Sequence, residues 1–148
     1  MEIREATIAD IAEMHRIRMA VMENRLSDPA KVRLSDYEDL IRSQGKGWVS
    51  HVDGQIHGFG FINSFSNNFW ALFVEPGYEK LGIGRRLHDR MLEWAFGSGQ
   101  TNLWLTTAAR TRAEGFYRRA GWRDTGRTPD GEIRFELSGK DWHSSWES

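Results

Sequence analysis

Cysteine is absent from the 148 residues, proline occurs only three times, and no apolar run reaches the length of a membrane span. The missing thiols exclude disulfides, Fe–S clusters, thiolate zinc sites and a cysteine nucleophile, and they favour a cytoplasmic location. A spanning helix needs about 18 consecutive apolar residues. Residues 1–10 carry charges where a signal peptide would be apolar. We therefore expect a protein that is neither secreted nor bound to a membrane.

An excess of charge of either sign is also missing, since 20 Lys and Arg oppose 21 Asp and Glu. This balance argues against general nucleic-acid binding, but the charges are unevenly distributed. Residues 80–123 contain nine basic and three acidic side chains, and sixteen of the 20 basic residues in the chain are arginines. Because arginine favours bidentate contacts with phosphate or carboxylate, this region is suited to binding a small polyanion.

The length of the chain predicts a single domain that can fold without a disulfide or a metal. No repeat or linker divides the sequence, so we assign residues 1–148 to one domain, with a loose C-terminal tail over residues 139–148. Seven tryptophans are more than one small core readily hides, and Trp142 and Trp146 lie in the polar C-terminal stretch. Because clustered exposed aromatic residues mark interfaces, we predict a homodimer.

The first half of the chain predicts two helices and a hairpin. Thr7 is a candidate N-cap, and apolar residues recur every three or four positions over residues 11–21, which is typical of an amphipathic helix. Ser35 begins a capping-box sequence that predicts a second, short helix. Asp53-Gly54 separates two apolar segments and tolerates the positive φ angles of a tight turn, which predicts two antiparallel strands.

Strands and helices alternate in the second half of the chain. Residues 69–74 are apolar throughout, which is typical of a central strand covered on both faces. Helical periodicity over residues 83–95 and 113–120 flanks a strand over residues 103–107, and apolar residues alternate with charged ones over residues 133–137. This order predicts an α/β fold in which a mixed sheet carries helices on both faces.

A glycine-rich loop over residues 75–85 joins the apolar strand to the next helix and contains Gly77, Gly82 and Gly84. Such a turn lets backbone N–H groups approach an anion, and the start of the helix adds unpaired donors and the positive end of its dipole. The loop lacks the Lys-Ser/Thr ending of a P-loop and the third glycine of a dinucleotide fingerprint. The pattern therefore predicts a phosphate site that belongs to neither of those classes.

A second motif supports the first and gives the pair a family resemblance. Val74-Glu75-Pro76 leads into the loop over residues 80–85, and Ala113, Tyr117 and Gly121-Trp122 follow one strand and one helix later. Together these motifs resemble those of the GNAT superfamily of N-acetyltransferases, which transfer an acetyl group from acetyl-CoA to an amine. The predicted order of elements also matches that superfamily over residues 3–137.

The resemblance implies a GNAT-like mixed central sheet, acetyl-CoA as the cosubstrate and no metal. It also implies transfer to a primary amine of a small molecule or a peptide by direct attack in a ternary complex. The apolar strand would splay from the strand over residues 103–107 and hold the thioester in the gap. By the same resemblance, the cofactor contacts fall on the apolar strand, the loop and the next helix: Leu72, Phe73, Val74, Lys80, Leu81, Gly82, Ile83, Gly84, Arg85 and Ala113.

Tyr117 is the residue that the resemblance favours as the general acid, because a phenol can donate a proton to the departing thiolate. Its helical face, shared with Phe116, also fits a packing role. Glu75 is the candidate general base, acting directly or through water. Histidine, serine and threonine show no pattern that indicates a metal site or a covalent nucleophile.

Recognition of the acceptor is expected from the segments 23–33 and 64–68. Glu23 and Asp28 could pair with a cationic amine, and Phe65 and Trp70 could cover its apolar part. Two other functions compete with acetyl transfer: a catalytically silent acyl-CoA-binding module with a regulatory role, and a nucleotide-binding α/β domain that uses the same loop.

Overall fold

The computed structural model describes residues 1–22, 32–43 and 45–142. The strands are β1 (Glu2–Glu5), β2 (Gly45–Val52), β3 (Gln55–Asn63), β4 (Asn68–Val74), β5 (Asn102–Thr107), β6 (Arg123–Arg127) and β7 (Ile133–Ser138). The α-helices are α1 (Ile11–Met22), α2 (Leu34–Arg42), α3 (Ile83–Gly97) and α4 (Arg112–Arg119).

All seven strands belong to one sheet in the order β1-β2-β3-β4-β5-β7-β6. Neighbouring strands run antiparallel except β4 and β5, which are parallel and are connected through α3. A parallel pair needs such a crossover because the chain must return to the same edge of the sheet. The predicted α/β fold with a mixed central sheet is confirmed.

Two apolar cores lie on opposite faces of the sheet. On one face α1 and α2 pack Met14, Ile17 and Tyr37 against Phe59 and Phe61 of β3. On the other face α3 and α4 pack against a larger core that includes Leu87, Met91, Leu105, Tyr117 and Phe135. The helices therefore cover both faces, as the alternation of strand and helix patterns predicts.

The local signals for the turn and for the first helix are confirmed. Asp53 and Gly54 have φ angles of 52° and 80°, the left-handed values that a two-residue hairpin requires. The Thr7 N–H donates to the Asp10 carboxylate at 2.8 Å, which caps the short 3₁₀ turn that leads into α1. The first residues of these elements are thus fixed by interactions between near neighbours in the sequence.

Two local predictions need correction. Ser35 does not cap α2, because the helix begins at Leu34, two residues before the start that a Ser35 cap would give, and Arg33 is its N-cap. The Arg33 N–H donates to the Asp36 carboxylate at 2.7 Å, so the N-cap contributes its backbone rather than a side-chain oxygen. β6 was not expected, since its sequence RDTGR carries no apolar alternation. An edge strand that pairs only with β7 has little apolar surface to bury and leaves no such pattern.

A β-bulge in β4 and a splay between β4 and β5 open the centre of the sheet. Phe61 pairs with Ala71 and Ile62 pairs with Phe69, so Trp70 is the extra residue of the bulged strand. Parallel pairing with β5 is limited to Asn68 and Trp104 at the start of β4. The rest of the two strands diverges, which confirms the expected gap.

The end of the described chain is helical rather than loose over residues 139–142. Trp142 is only 1% exposed and belongs to the core beneath α3, so it does not support the predicted dimer surface. Trp146 lies outside the described residues. No helix in the described part of the chain is long and apolar enough to cross a membrane.

Candidate active site

A cleft of about 910 Å³ occupies the gap between β4 and β5. It is lined on the α3 and α4 side by Val74, Gly84 and Phe116, and on the α1 side by Arg18 and Phe73. Because side chains from both faces of the sheet contribute to its walls, the cleft passes through the sheet rather than lying on one face. Two reactants can therefore approach the same point from opposite directions.

The glycine-rich loop forms one end of this cleft. Gly82 has a φ of 81° and lies directly before α3, whose first backbone bond runs from the Arg86 N–H to the Gly82 carbonyl at 3.1 Å. A Cβ at Gly82 would meet no atom within 4 Å, and a Cβ at Gly84 would meet Val74 at an ordinary 3.4 Å. The protein itself therefore does not need glycine at position 84 for packing. The open space above the first-turn N–H groups fits a pyrophosphate.

Most of the cofactor contacts expected from the sequence lie on the cleft. These are Leu72, Phe73, Val74, Gly82, Gly84, Arg85 and Ala113. Three others do not line it: Lys80 and Leu81 project from an exposed 3₁₀ turn beside the loop, and the Ile83 side chain is fully buried in the core. Ile83 can face an anion only through its backbone N–H, which belongs to the first turn of α3.

Tyr117 lies in the wall of the cleft and is 6% exposed. Its ring makes edge contacts with Phe69, Phe116 and Trp122, which hold it in one place. Thr111 caps α4, and its side-chain oxygen accepts from the Glu114 N–H at 3.3 Å. A short, capped helix thus holds the Tyr117 ring at the wall of the gap between the strands.

The model of the acetyltransferase (GNAT) family matches residues 11–122, which span α1 to the end of α4. The chain belongs to this family. Its membership confirms an acetyl-CoA-dependent acyltransferase with acetyl-CoA as cosubstrate, and the glycine loop has the open backbone donors that the pyrophosphate of CoA requires.

Solved structures with the same fold include several bacterial acetyltransferases. One from Staphylococcus aureus Mu50 has 19% identity and a TM-score of 0.79, with 93% of this chain and 98% of that chain covered. YncA from Salmonella typhimurium, solved with acetyl-CoA, has 22% identity and a TM-score of 0.74, with 94% of each chain covered. The ribosomal-protein-S18-alanine N-acetyltransferase of Escherichia coli has 17% identity and a TM-score of 0.75, covering 93% and 92%. No curated protein sequence matches this acetyltransferase.

Glu75, expected to act as the base, lies outside the cleft of the acetyltransferase. It belongs to a separate pocket beside the first half of α1, where Arg16 donates to its Oε1 at 2.7 Å and His57 Nδ1 donates to its Oε2 at 2.5 Å. Burial raises the pKa of Glu75, but the bonds from Arg16 and His57 outweigh it and hold the pKa below its ordinary value. The Glu75 carboxylate is charged and accepts two hydrogen bonds. Its environment therefore favours a bracing role, in which it holds neighbouring side chains in place, over proton abstraction.

The bracing extends into the glycine loop. The Tyr78 ring stacks on His57 with 3.8 Å between centroids and an interplanar angle of 11°. On the other side of the turn, the Glu79 carboxylate accepts from the Gly77 N–H at 2.6 Å. Glu79 therefore stabilises the loop itself.

A buried polar chain behind the loop was missed by sequence reasoning. His88 is fully buried, its Nδ1 donates to Asp89 at 2.9 Å, and its Nε2 accepts from Trp122 Nε1 at 2.9 Å. Arg85 also donates to Asp89, at 3.1 Å. Burial lowers the pKa of His88 and favours the neutral imidazole, and the two hydrogen bonds place its remaining proton on Nδ1. The only signal in the sequence was a histidine one turn after Gly84 on an apolar helical face.

The opposite end of the cleft carries a different set of side chains. Trp70 lines it, as expected for acceptor recognition, whereas Phe65 is 79% exposed and does not. Glu23 and Asp28 lie outside the described residues. Arg18 lines this end with Trp70, and sequence reasoning gave no indication of it.

Within residues 1–22, 32–43 and 45–142, no group of three or more His, Asp or Glu is placed to bind a metal.

Proposed function

We propose that this GNAT acetyltransferase moves the acetyl group of acetyl-CoA to a primary amine of a small molecule or peptide by direct attack in a ternary complex. The observation that carries the proposal is the cleft through the sheet, which joins a phosphate-binding loop on one face to an open end on the other. Simultaneous binding of both reactants needs such a passage, since it holds them at one point without covalent transfer to the protein.

The cofactor end is proposed to hold acetyl-CoA through backbone groups. The first-turn N–H groups of α3 and the Arg85 side chain face the pyrophosphate, and β4 offers Leu72, Phe73 and Val74 to the pantetheine arm. The splay from β5 leaves backbone N–H and C=O groups of β4 without a strand partner on that side. Those groups can bond the amides of the arm, in the manner of an added strand.

Tyr117 is proposed as the general acid that protonates the departing thiolate. Its place in the cleft wall, with a ring fixed by three aromatic neighbours, supports this role. Acetyl-CoA supplies the reactive thioester.

Glu132 replaces Glu75 as the carboxylate proposed to receive the amine. Of the described residues, Glu79 and Glu132 are the two acidic ones that line the cleft, and Glu79 is bonded to the glycine loop. Glu132 precedes β7 and continues its alternation, so it lies on the face of Arg134, which stacks over Trp104, rather than on the face of the buried Ile133. An acetate-like side chain on this face can bind an ammonium group and accept its proton.

Turnover separates this function from a silent acyl-CoA-binding module. The purified chain is incubated with acetyl-CoA and a panel of primary amines, and released CoA thiol is measured against a control without amine. Amine-dependent release with a stoichiometric N-acetyl product is expected. Binding of CoA without release in the presence of any amine would instead support the silent module.

A further inference from the structure

Arg18 is a cation on α1 that faces the cleft with an unsatisfied group. Its guanidinium carbon lies 4.8 Å from the centroid of the Trp70 ring and 4.7 Å from that of Phe73. Nη1 is shielded from solvent and has no hydrogen-bond acceptor among the described residues. A buried guanidinium N–H without an acceptor is costly, so native proteins supply one from the protein, an ordered water or a ligand.

The surroundings of Arg18 do not neutralise it. No described carboxylate forms an ion pair with this guanidinium, although other described Arg and Lys side chains form eleven such pairs. Its polar neighbours are Tyr37 and His15, whose Nδ1 lies 3.2 Å from the Tyr37 hydroxyl. Burial and the nearby Arg18 charge both lower the pKa of His15. Among the described residues, this cluster is therefore positive and has no anion beside it.

The two aromatic rings restrict where that anion can come from. Trp70 and Phe73 flank the guanidinium and orient its planar fork, which matches the two oxygens of a carboxylate. The bulge places both rings on the α1 side of β4, away from the glycine loop. The phosphates of CoA are accounted for at the other end of the cleft, so an anion at Arg18 belongs to the second substrate.

The Glu132 carboxylate lines the same cleft and can bind a cation. Glu132 and Arg18 both line the cleft and contribute opposite charges from opposite sides of the gap, one beside β5 and the other beside β4. A molecule with an ammonium and a carboxylate group complements both side chains. Trp70 and Trp104 line the same cleft, and their aromatic surface suits the carbon chain of that molecule.

We propose that the acceptor is a free amino carboxylic acid, with its carboxylate bound to Arg18 and its amine at Glu132. This inference rests on the proposed acetyl transfer and specifies its substrate class. Atoms balance in the usual way for the reaction: the amine nitrogen gains the acetyl group, the thioester C–S bond breaks, and the proton lost by nitrogen is matched by one taken up by the CoA thiolate.

The test compares acceptors that differ only by a carboxylate. kcat/KM is measured for β-alanine against ethylamine, 4-aminobutyrate against propylamine, and phenylalanine against phenethylamine. Phosphoethanolamine and a peptide amide with a free N-terminus and one aspartate test other sources of negative charge. We expect the acid of at least one pair to exceed its amine about tenfold or more, and to exceed both the phosphate and the peptide.

Substitution then assigns the preference to Arg18. In Arg18→Gln, the ratio of kcat/KM for the acid to kcat/KM for the amine of the preferred pair is expected to fall below about threefold. In Arg18→Lys the ratio should take an intermediate value, because lysine keeps the charge but lacks the planar fork of arginine. Arg42→Gln, an exposed arginine on α2, is the matched control and should keep the full ratio. A thermal shift with CoA verifies that each variant is folded and still binds the cofactor.

Three results would overturn the inference. The first is an equal kcat/KM for the acid and the amine of every pair. The second is a kcat/KM ratio of acid to amine that stays the same in Arg18→Gln. The third is a peptide or phosphate acceptor with a higher kcat/KM than every amino acid. In each case amines are still acetylated, so the proposed function survives. If no acceptor reacts although CoA binds, the proposed function and the inference fail together.

Discussion

The two ends of the cleft present different kinds of groups to a ligand. The proposed cofactor end presents backbone N–H groups, with no side chains at Gly82 and Gly84. The proposed acceptor end presents charged and aromatic side chains from separate elements, among them Arg18 on α1 and Trp70 on β4. A backbone site is specified by a short stretch of sequence, whereas a side-chain site depends on how distant segments pack. The cofactor end can therefore be recognised in the sequence, whereas the acceptor end becomes visible only in the fold.

Loss of the Tyr117 hydroxyl is expected to have the largest effect on the rate of acetyl transfer, because this hydroxyl is the proposed proton donor between the two ends of the cleft. Tyr117→Phe keeps the ring and its aromatic contacts but removes the proton donor. The single-turnover rate should fall by about 10² to 10⁴, while acetyl-CoA affinity changes by less than about threefold. Rapid-quench measurement of N-acetyl product gives the rate without interference from product release.

Tyr78→Phe is the matched control, since Tyr78 stacks on His57 outside the cleft. It should retain the single-turnover rate. If Tyr117→Phe acetylates at the rate of the parent chain, Tyr117 is a packing residue and the proton must come from elsewhere.

A side chain at position 84 should weaken the binding of acetyl-CoA to the backbone N–H groups of the loop. Gly84→Val places methyl groups in the space above the first turn of α3, where the pyrophosphate must approach the N–H groups. We expect acetyl-CoA affinity to fall by about 100-fold, equivalent to ~2.7 kcal/mol. Isothermal titration with CoA measures the change.

The same substitution at the other end of the helix provides its control. A Cβ at Gly97 meets no atom within 4 Å, so Gly97→Val introduces the same side chain away from the loop. Its affinity for CoA should equal that of the parent chain. Equal affinities in both variants would contradict the assignment of the loop.

A change at the acceptor end should leave the cofactor end untouched. Glu132→Gln removes the charge that is proposed to bind the amine, and KM for the amine should rise about tenfold while CoA affinity stays the same. Glu93→Gln, an exposed carboxylate on α3, is the control. Steady-state kinetics with the amine varied at saturating acetyl-CoA test this, and an unchanged KM would remove Glu132 from the acceptor site.

The smallest effect is expected at Glu75, which braces the loop from outside the cleft. Glu75→Gln should keep turnover within about threefold, whereas loss of a general base would cost at least about 10². The free energy of unfolding should fall by about 1 kcal/mol at pH 7, because the bonds from Arg16 and His57 lose their charged acceptor.

The pH dependence of stability follows from the lowered pKa of Glu75. A carboxyl with a depressed folded-state pKa contributes stability that is fully present above its unfolded pKa, about 4.3, and that is lost as the pH falls through the folded value. Between pH 5 and pH 3, urea unfolding should therefore show a steeper loss for the parent chain than for Glu75→Gln. Parallel losses would contradict the bracing role.

Elements with a regular apolar period were predictable, and those without one were not. The period of α1, the apolar run of β4 and the Asp53-Gly54 turn all have local causes, and the structure confirms each of them. β6 has no apolar alternation because an edge strand needs little, and the start of α2 depends on a backbone donor that any residue carries. The glycine loop was predictable for the same local reason.

The amino-acid sequence by itself determined the backbone features of this acetyltransferase. Gly82 permits a positive φ, and Gly84 leaves the start of α3 without a side chain. Periodicity likewise specified which face of each helix is buried, because burial of apolar surface is the main force that orients a helix.

Only the tertiary structure decided which side chains share the cleft. Arg18, Trp70 and Glu132 are separated by 52 and 62 positions in the sequence. They line one cleft because α1 packs on β4, β4 lies next to β5 and β5 lies next to β7. Trp70 is the bulged residue and packs on the α1 side of the sheet, whereas Glu75 lies in another pocket. Contacts of this kind depend on sheet order and strand register, which no short stretch of sequence encodes.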